Sequence, residues 1–180
     1  MIFLAKRKKK FPVVASESTS PSTLIAPAIS VIIPMFNAEE FIGECLDSLL
    51  LQTFQNFEVI VVDDCSADNS VAIVESFIPK FGSRLRILQM ERNSGAAPAP
   101  RNKGFLFSQG EYVFFMDSDD ALTETALEEM YNLAKDYDVD VVYCEKYFMS
   151  TGFGQEFIGN IYPADKSIQR GGFVDKPTFV

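Results

Sequence analysis

Asp117-Ser118-Asp119-Asp120 places three carboxylates within four residues, directly behind the apolar run Tyr112-Val113-Phe114-Phe115-Met116. Like charges packed side by side raise one another's pKa unless a cation or hydrogen-bond donors compensate them. Hard oxygen ligands so arranged at a strand end suit Mg²⁺ or Mn²⁺. Taken alone, the same pattern reads equally as a polar turn capping the next helix. The elements around it decide between the two.

Those elements alternate. Residues 29–33 (ISVII) form a buried-strand pattern stopped by Pro34, and residues 57–62, 85–90, 112–116 and 139–148 repeat it. Between them, Phe41, Ile42, Cys45, Leu46, Leu49 and Leu50 fall at helical spacing, so a helix is expected over 38–51, with Asn37 and Glu40 spaced as a capping box. Further helices are expected over 69–80, ending at Gly82, over 97–108, whose first turn tolerates Pro98 and Pro100, and over 123–135. Strands apolar on both faces, alternating with helices, predict an α/β fold: a mostly parallel central sheet covered on both sides. Right-handed crossovers put the carboxyl ends of its parallel strands on one rim, where such folds bind ligands. Phe36, Asn37, Asp63, Asp64 and the 117–120 acids all fall just past strand ends and are expected to converge there.

Composition narrows the chemistry. In 180 residues there is no histidine, which removes Ser-His-Asp and Cys-His catalysis and every His-containing zinc site. Cys45, Cys65 and Cys144 are widely spaced and read as reduced thiols of a cytosolic protein. The formal charge is −9, and residues 1–28 contribute +4 of it (five basic side chains against Glu17), leaving −13 on the rest. Such a body repels nucleic acid. Met1-Ile2-Phe3-Leu4-Ala5 is too short for a membrane span or a signal core. The run from Lys6 to Lys10 is suited to peripheral contact with an anionic membrane surface, although a solvated tail is the preferred reading. Residues 15–28 have the Ser/Thr/Pro composition of a linker, so 1–28 is expected to be a disordered tail.

An acid after the second strand is where a dinucleotide fold holds a ribose, but the first turn, Pro34-Met35-Phe36-Asn37-Ala38-Glu39-Glu40, has no glycine to admit a pyrophosphate. NAD and FAD are disfavoured. A nucleoside held by Asp63 or Asp64 and Phe36, a metal at Asp117 and Asp119 holding a diphosphate, and Arg101 as a further cation remain.

Five blocks then stand in order: Ile29-Ser30-Val31-Ile32-Ile33-Pro34-Met35-Phe36-Asn37; Ser48-Leu49-Leu50-Leu51-Gln52-Thr53-Phe54; Glu58-Val59-Ile60-Val61-Val62-Asp63-Asp64-Cys65-Ser66; Asn93-Ser94-Gly95 with Arg101-Asn102-Lys103-Gly104; and Gly110-Glu111-Tyr112 leading to Asp117-Ser118-Asp119-Asp120. Together they resemble family 2 glycosyltransferases of the GT-A fold over residues 29–148. The resemblance implies a Rossmann-like three-layer α/β/α sandwich and an inverting, metal-assisted transfer of a sugar from a UDP-sugar to a hydroxyl of a glycan or glycolipid acceptor. It implies stacking of Phe36 on the base, a base contact by Asp64, approach of Arg101 to the diphosphate, and a D-x-D element in which Asp119 contacts Mg²⁺ or Mn²⁺. Asp117 then serves the ribose or the metal, Asp63 shapes the turn, and Asp120 orients that group or caps the next helix. The usual context is bacterial polysaccharide or glycolipid assembly, in the cytoplasm or at the inner face of the membrane.

The general base is not identified. In the family it lies well beyond the D-x-D, and Glu145, Glu156, Asp165 and Asp175 match no motif. Residues 149–180 read as the opening of an incomplete acceptor region, so the chain is expected to be truncated before its base, with Phe153, Phe157, Tyr162, Phe173 and Phe179 favouring homo-oligomerisation. The alternative is a module that binds a nucleotide-sugar without turning it over.

Overall fold

The computed structural model describes residues 2–7, 26–144, 148–150 and 155–157. Contacts divide the chain into Ile2–Val142 and a second unit from Tyr143 onward. The elements are β1 (Ile2–Lys6), β2 (Ile29–Met35), α1 (Ile42–Leu50), β3 (Phe57–Asp63), α2 (Ser70–Phe81), β4 (Leu85–Gln89), α3 (Pro98–Phe107), β5 (Tyr112–Phe115), α4 (Ala126–Asp136) and β6 (Val141–Cys144). The second unit carries an antiparallel pair, β7 (Phe148–Ser150) and β8 (Gln155–Phe157).

The main sheet has the order β4-β3-β2-β5-β1-β6. β4, β3, β2 and β5 are parallel, and β1 runs antiparallel to β5. Every residue of β2 and β3 is buried, as expected of parallel strands covered on both faces. Pleating divides their side chains. Ile29, Val31, Ile33, Val59, Val61, Tyr112 and Phe114 join one core with Ile42, Cys45, Leu46 and Leu49 of α1, Val74 and Phe77 of α2, and Leu127 and Met130 of α4. The opposite face lies under α3. Gly104 makes that approach possible, because a Cβ there would run into Ile32 Cγ2 and sit 3.2 Å from Val62 Cγ2.

The expected tail needs correction at its start. Ile2–Lys6 is a strand instead of disordered chain: Leu4 is fully buried, opposite Phe114 in the register, and Lys6 N–H donates to Asp140 O at 2.6 Å. Four apolar residues suffice because they extend a sheet that already exists. Lys6 forms an ion pair with Asp138 at 3.2 Å and Arg7 donates to Ser108 O, so two of the five cations proposed for a membrane surface are drawn into the fold. The remaining three lie outside the described residues. Among the described residues, no helix is long and apolar enough to cross a membrane.

Helix limits also moved. α1 begins at Ile42, four residues later than expected, because residues 38–41 form turns and Phe41 is its N-cap with no side-chain cap bond. Of the strand expected over 139–148, Val141–Cys144 forms β6 and Phe148 opens β7, while residues 145–147 lie outside the described residues.

Candidate functional site

β3 and β4 extend to one side of β2, while β5 returns to the other. The carboxyl ends of β2 and β5 therefore flank the point where strand order reverses, the usual crevice of an open α/β sheet. Phe36 and Asn37 leave β2 there, Asp63 and Asp64 close β3, and Asp117 to Asp120 follow β5.

Phe36 is about half exposed, an unusual state for a phenylalanine at the end of a fully buried strand. Asn37 does not cap α1. Its backbone is left-handed (φ 47°), its N–H donates to Ser66 Oγ at 2.9 Å, and its Oδ1 accepts from Ala67 N–H at 2.8 Å. It fastens the loop after β2 to the loop after β3. Glu39 and Asp68 continue the clamp: Glu39 N–H donates to Asp68 at 3.0 Å, and Asn69 donates to Glu39 Oε2 at 2.9 Å through both its N–H and its amide. Desolvation alone would raise Asp68, but hydrogen bonds from Ser70 and from the Glu39 N–H outweigh it and hold the carboxyl below its ordinary value.

Asp63 and Asp64 are both buried and both committed. Asp63 Oδ1 accepts from Ser66 N–H at 3.1 Å. Asp64 accepts Ser94 N–H at 2.9 and 3.1 Å and Ser94 Oγ at 2.7 Å, while Asn93 donates to its main-chain oxygen at 3.1 Å. Asp64 therefore anchors the loop that carries Gly95, whose φ of +76° glycine adopts without strain. The tertiary role of Ser94 was not legible, although Asn-Ser-Gly marks a turn.

The loop after β5 is gripped from α1, entirely through its main chain. Cys45 Sγ lies 3.7 Å from Asp117 O, Ser48 Oγ accepts from Leu122 N–H at 3.1 Å, and Gln52 donates to Thr123 O at 2.8 Å while accepting from Leu127 N–H at 3.1 Å. No carboxylate is used in these anchors. Ser48 and Gln52 are the positioning residues of this loop; the sequence marks them as members of the Ser48–Phe54 block without disclosing that role.

Above this anchor the carboxylates are poorly balanced. Asp117 pairs with Arg101, which rises from the first turn of α3. Asp119 is exposed, with no hydrogen-bond or ion-pair partner among the described residues. Partial burial, and then the charges of Asp117 and Asp119, raise Asp120 above the ordinary carboxylate value. Burial and the same three acids push the Cys45 thiol up to about 12. Thus Asp117, Asp119, Asp120 and Arg101 come together at the rim.

These residues suit a divalent ion of the kind the sequence implies. Asp119 has both oxygens free and Asp117 has one. Among the described residues no group of three acidic, Cys or His side chains closes a metal cage. That is the donor set of a Mg²⁺-type site, which uses one or two carboxylates and completes its shell with water and substrate phosphates.

Glu145, Asp165 and Asp175 lie outside the described residues, as does the side chain of Glu156. Cys45 and Cys65 are free thiols, and Cys144 lies in β6 with its side chain undescribed.

Known proteins resemble this chain in sequence and in fold. The glycosyltransferase GlyG of Streptococcus pneumoniae is 38% identical over 139 residues, covering 77% of this chain and 40% of GlyG. TarP of Staphylococcus aureus, a poly(ribitol-phosphate) beta-N-acetylglucosaminyltransferase, is 42% identical over 116 residues, covering 63% of this chain and 35% of TarP. The crystal structure of residues 1–349 of S. aureus TarS in complex with UDP superposes with a TM-score of 0.58 at 40% identity, covering 61% of this chain and 32% of that one. A mannosyltransferase of Pyrobaculum calidifontis, in complex with GDP-Man and Mn²⁺, gives 0.53 at 26% identity over 71% of this chain and 35% of its own. The chain thus spans at most two-fifths of the length of these relatives. Its sheet is that of the GT-A fold, the sequence profile of glycosyl transferase family 2 matches residues 30–174, and the chain belongs to that family.

Proposed function

We propose that this chain is the donor-binding part of a metal-assisted, inverting glycosyltransferase that takes a UDP-sugar and delivers the sugar to a hydroxyl of a cell-surface glycan or glycolipid. The observation that carries the reading is the uncompensated D-x-D at the switch point of the sheet: Asp119 without a partner, beside Asp117, Asp120 and Arg101. The TarS complex with UDP supports the choice of nucleotide, and the P. calidifontis complex supports a divalent ion such as Mn²⁺ or Mg²⁺.

In this reading Phe36 offers its exposed ring to the uracil. Asp64 holds the Asn93–Gly95 loop and presents its remaining acceptor capacity to the base, with Asp63 and Asn37 fixing the two loops that form that wall. Arg101 meets the diphosphate. Asp119 and Asp117 hold the divalent ion, which when bound supplies Lewis-acid stabilisation of the leaving diphosphate. Asp120 orients the turn that presents them. In-line attack from the opposite face of the sugar requires a base on the acceptor side. We assign none.

Thermal unfolding with Mn²⁺ and UDP, each alone and together, tests the reading. The pair is expected to raise Tm, with GDP giving a smaller rise, and Asp119→Ala is expected to abolish the metal-dependent part. No rise in the wild type overturns the assignment. Binding without turnover of UDP-sugars across acceptors favours the second reading, a module that holds the donor and transfers nothing.

A further inference from the structure

Arg101 has two prospective partners of opposite consequence. In the structure it pairs with Asp117, one of the two acids expected to hold the metal. That pair is incompletely satisfied: Arg101 Nε is buried and has no hydrogen-bond partner among the described residues. A buried donor left unmade is costly, so an acceptor that could engage more of the guanidinium fork would compete well with a single carboxylate oxygen. A diphosphate is such an acceptor.

The surrounding helix end strengthens the competition. α3 starts at Pro98 behind the N-cap residue Ala97, with no side-chain cap, and Pro98 and Pro100 remove two amide donors from its first turn. An anion at this end of the helix finds few free N–H groups, so the guanidinium of Arg101 is its principal donor. For a divalent cation arriving alone the same guanidinium is an obstacle, since it occupies an oxygen of Asp117 and repels a second positive charge.

Resting on the donor-site reading above, we propose that Arg101 is a positioning residue that makes metal binding conditional on the nucleotide. Before the donor arrives it neutralises Asp117. The diphosphate then draws the guanidinium away and frees Asp117 to join Asp119. By linkage, metal and nucleoside diphosphate strengthen one another's binding by the same factor, and part of that factor is the release of Asp117.

This differs from a role in which Arg101 only contacts phosphate, because it makes a claim about the metal in the absence of any nucleotide. Mn²⁺ binding to the full 180-residue chain is followed by the EPR signal of the free ion, with and without UDP. In Arg101→Gln and Arg101→Met, Mn²⁺ alone is expected to bind about tenfold tighter than to wild type, within the usual range of such couplings, while UDP binds more weakly and UDP enhances Mn²⁺ affinity less. In Arg101→Gln/Asp117→Asn the gain disappears. Far-UV CD and Tm confirm that each variant is folded, and the Met variant replaces Gln if the latter is not. Unchanged or weaker Mn²⁺ binding in a folded Arg101 variant overturns the proposal while leaving the donor site intact. Absence of both Mn²⁺ and UDP binding in wild type overturns the donor-site reading and this proposal with it.

Discussion

The two ends of the sheet treat charge in opposite ways. At the amino end, Glu58 is almost wholly buried and fully engaged: Oε1 accepts from Ser30 Oγ and from Gln109 N–H, both at 2.6 Å, and Oε2 pairs with Arg86 at 2.6 Å. Arg86 also donates to Phe107 O at 2.8 Å, and Gly110 N–H donates to Ser30 Oγ at 2.8 Å. At the carboxyl end, of the three acids in residues 117–120 only Asp117 pairs with an arginine, Arg101, and Asp119 has no partner among the described residues. The same fold therefore can neutralise an acid, and at the rim it leaves Asp119 without a partner among the described residues. The anchors from Cys45, Ser48 and Gln52 sharpen the contrast, because they hold the rim loop by its backbone and leave the carboxylates to a ligand. Residual charge at one end and complete pairing at the other separate binding from stability.

Removing Glu58 is the largest expected perturbation. Glu58→Ala strands the Gln109 amide and removes one partner each from Arg86 and Ser30 Oγ; because Arg86 is partly exposed and keeps Phe107 O, the expected cost is at the lower end of the about 3–5 kcal/mol for breaking a buried pair. Denaturant unfolding should register that loss. In the fraction still folded, Mn²⁺ and UDP are expected to bind as in wild type, so a parallel loss of binding would break the separation. Gly110 reports on the same end: an added Cβ would sit 2.6 Å from Ser30 N and 2.8 Å from Ile29 C, both backbone atoms.

Asp119→Ala should behave in the reverse manner. With no partner to strand, its effect on unfolding without ligand is expected to stay within about 0.5 kcal/mol. With Mn²⁺ and UDP at about 100 times Kd, wild type gains about 2.7 kcal/mol from ligand linkage, and the variant should forfeit the metal-dependent share. A comparable loss of stability without ligand would make Asp119 a structural residue and remove the contrast.

What the residues disclosed beforehand follows the same division. Strands flanked by helices, and the polar residues just past them, were legible because burial on both faces and strand ends leave local patterns. The converging rim followed from topology. The partners were not legible. Asn37 lies at capping-box spacing from Glu40, yet the loop after β3 offers Ser66 and Ala67 across 29 and 30 residues of sequence, and those bonds prevail. Arg101 is expected near phosphate, whereas its partner in the structure is Asp117. Glu58 lies in an otherwise apolar strand; the available signal is a charge on each of two neighbouring parallel strands, Glu58 and Arg86, which the register sets two residues apart on one face. Ile2–Lys6 was missed because a short apolar segment becomes a strand only beside the free edge of β5.

A smaller effect tests whether the rim's charge reaches the core. Cys45 is buried and its thiol is pushed up to about 12, whereas Cys65 is partly exposed, with φ 65° and Sγ 3.3 Å from Met90 O. Alkylation requires an accessible thiolate. In a Cys144→Ser background, iodoacetamide at pH 8 should modify Cys65 in the folded protein and Cys45 only on unfolding, as read by mass spectrometry. Comparable native rates would show that the α1 anchor opens.

Asp120→Asn gives the smallest change and its sign follows from linkage. Because the folded-state carboxyl is raised above its ordinary value, first by burial and then by Asp117 and Asp119, Asp120 favours folding most when protonated, below the unfolded pKa of about 3.9. That contribution is lost as pH rises through the folded value, so at pH 7 the ionised group opposes folding. Asp120→Asn is therefore expected to raise Tm slightly at pH 7, with the gain shrinking as pH falls into the carboxylate range, where the acid is protonated in both states. Saturating Mn²⁺ with UDP should also shrink it, since the metal's charge then relieves the repulsion that the substitution removes. A gain independent of pH would point to packing, and the rim would lose its claim to be the end of the sheet where charge is left unpaired for a ligand.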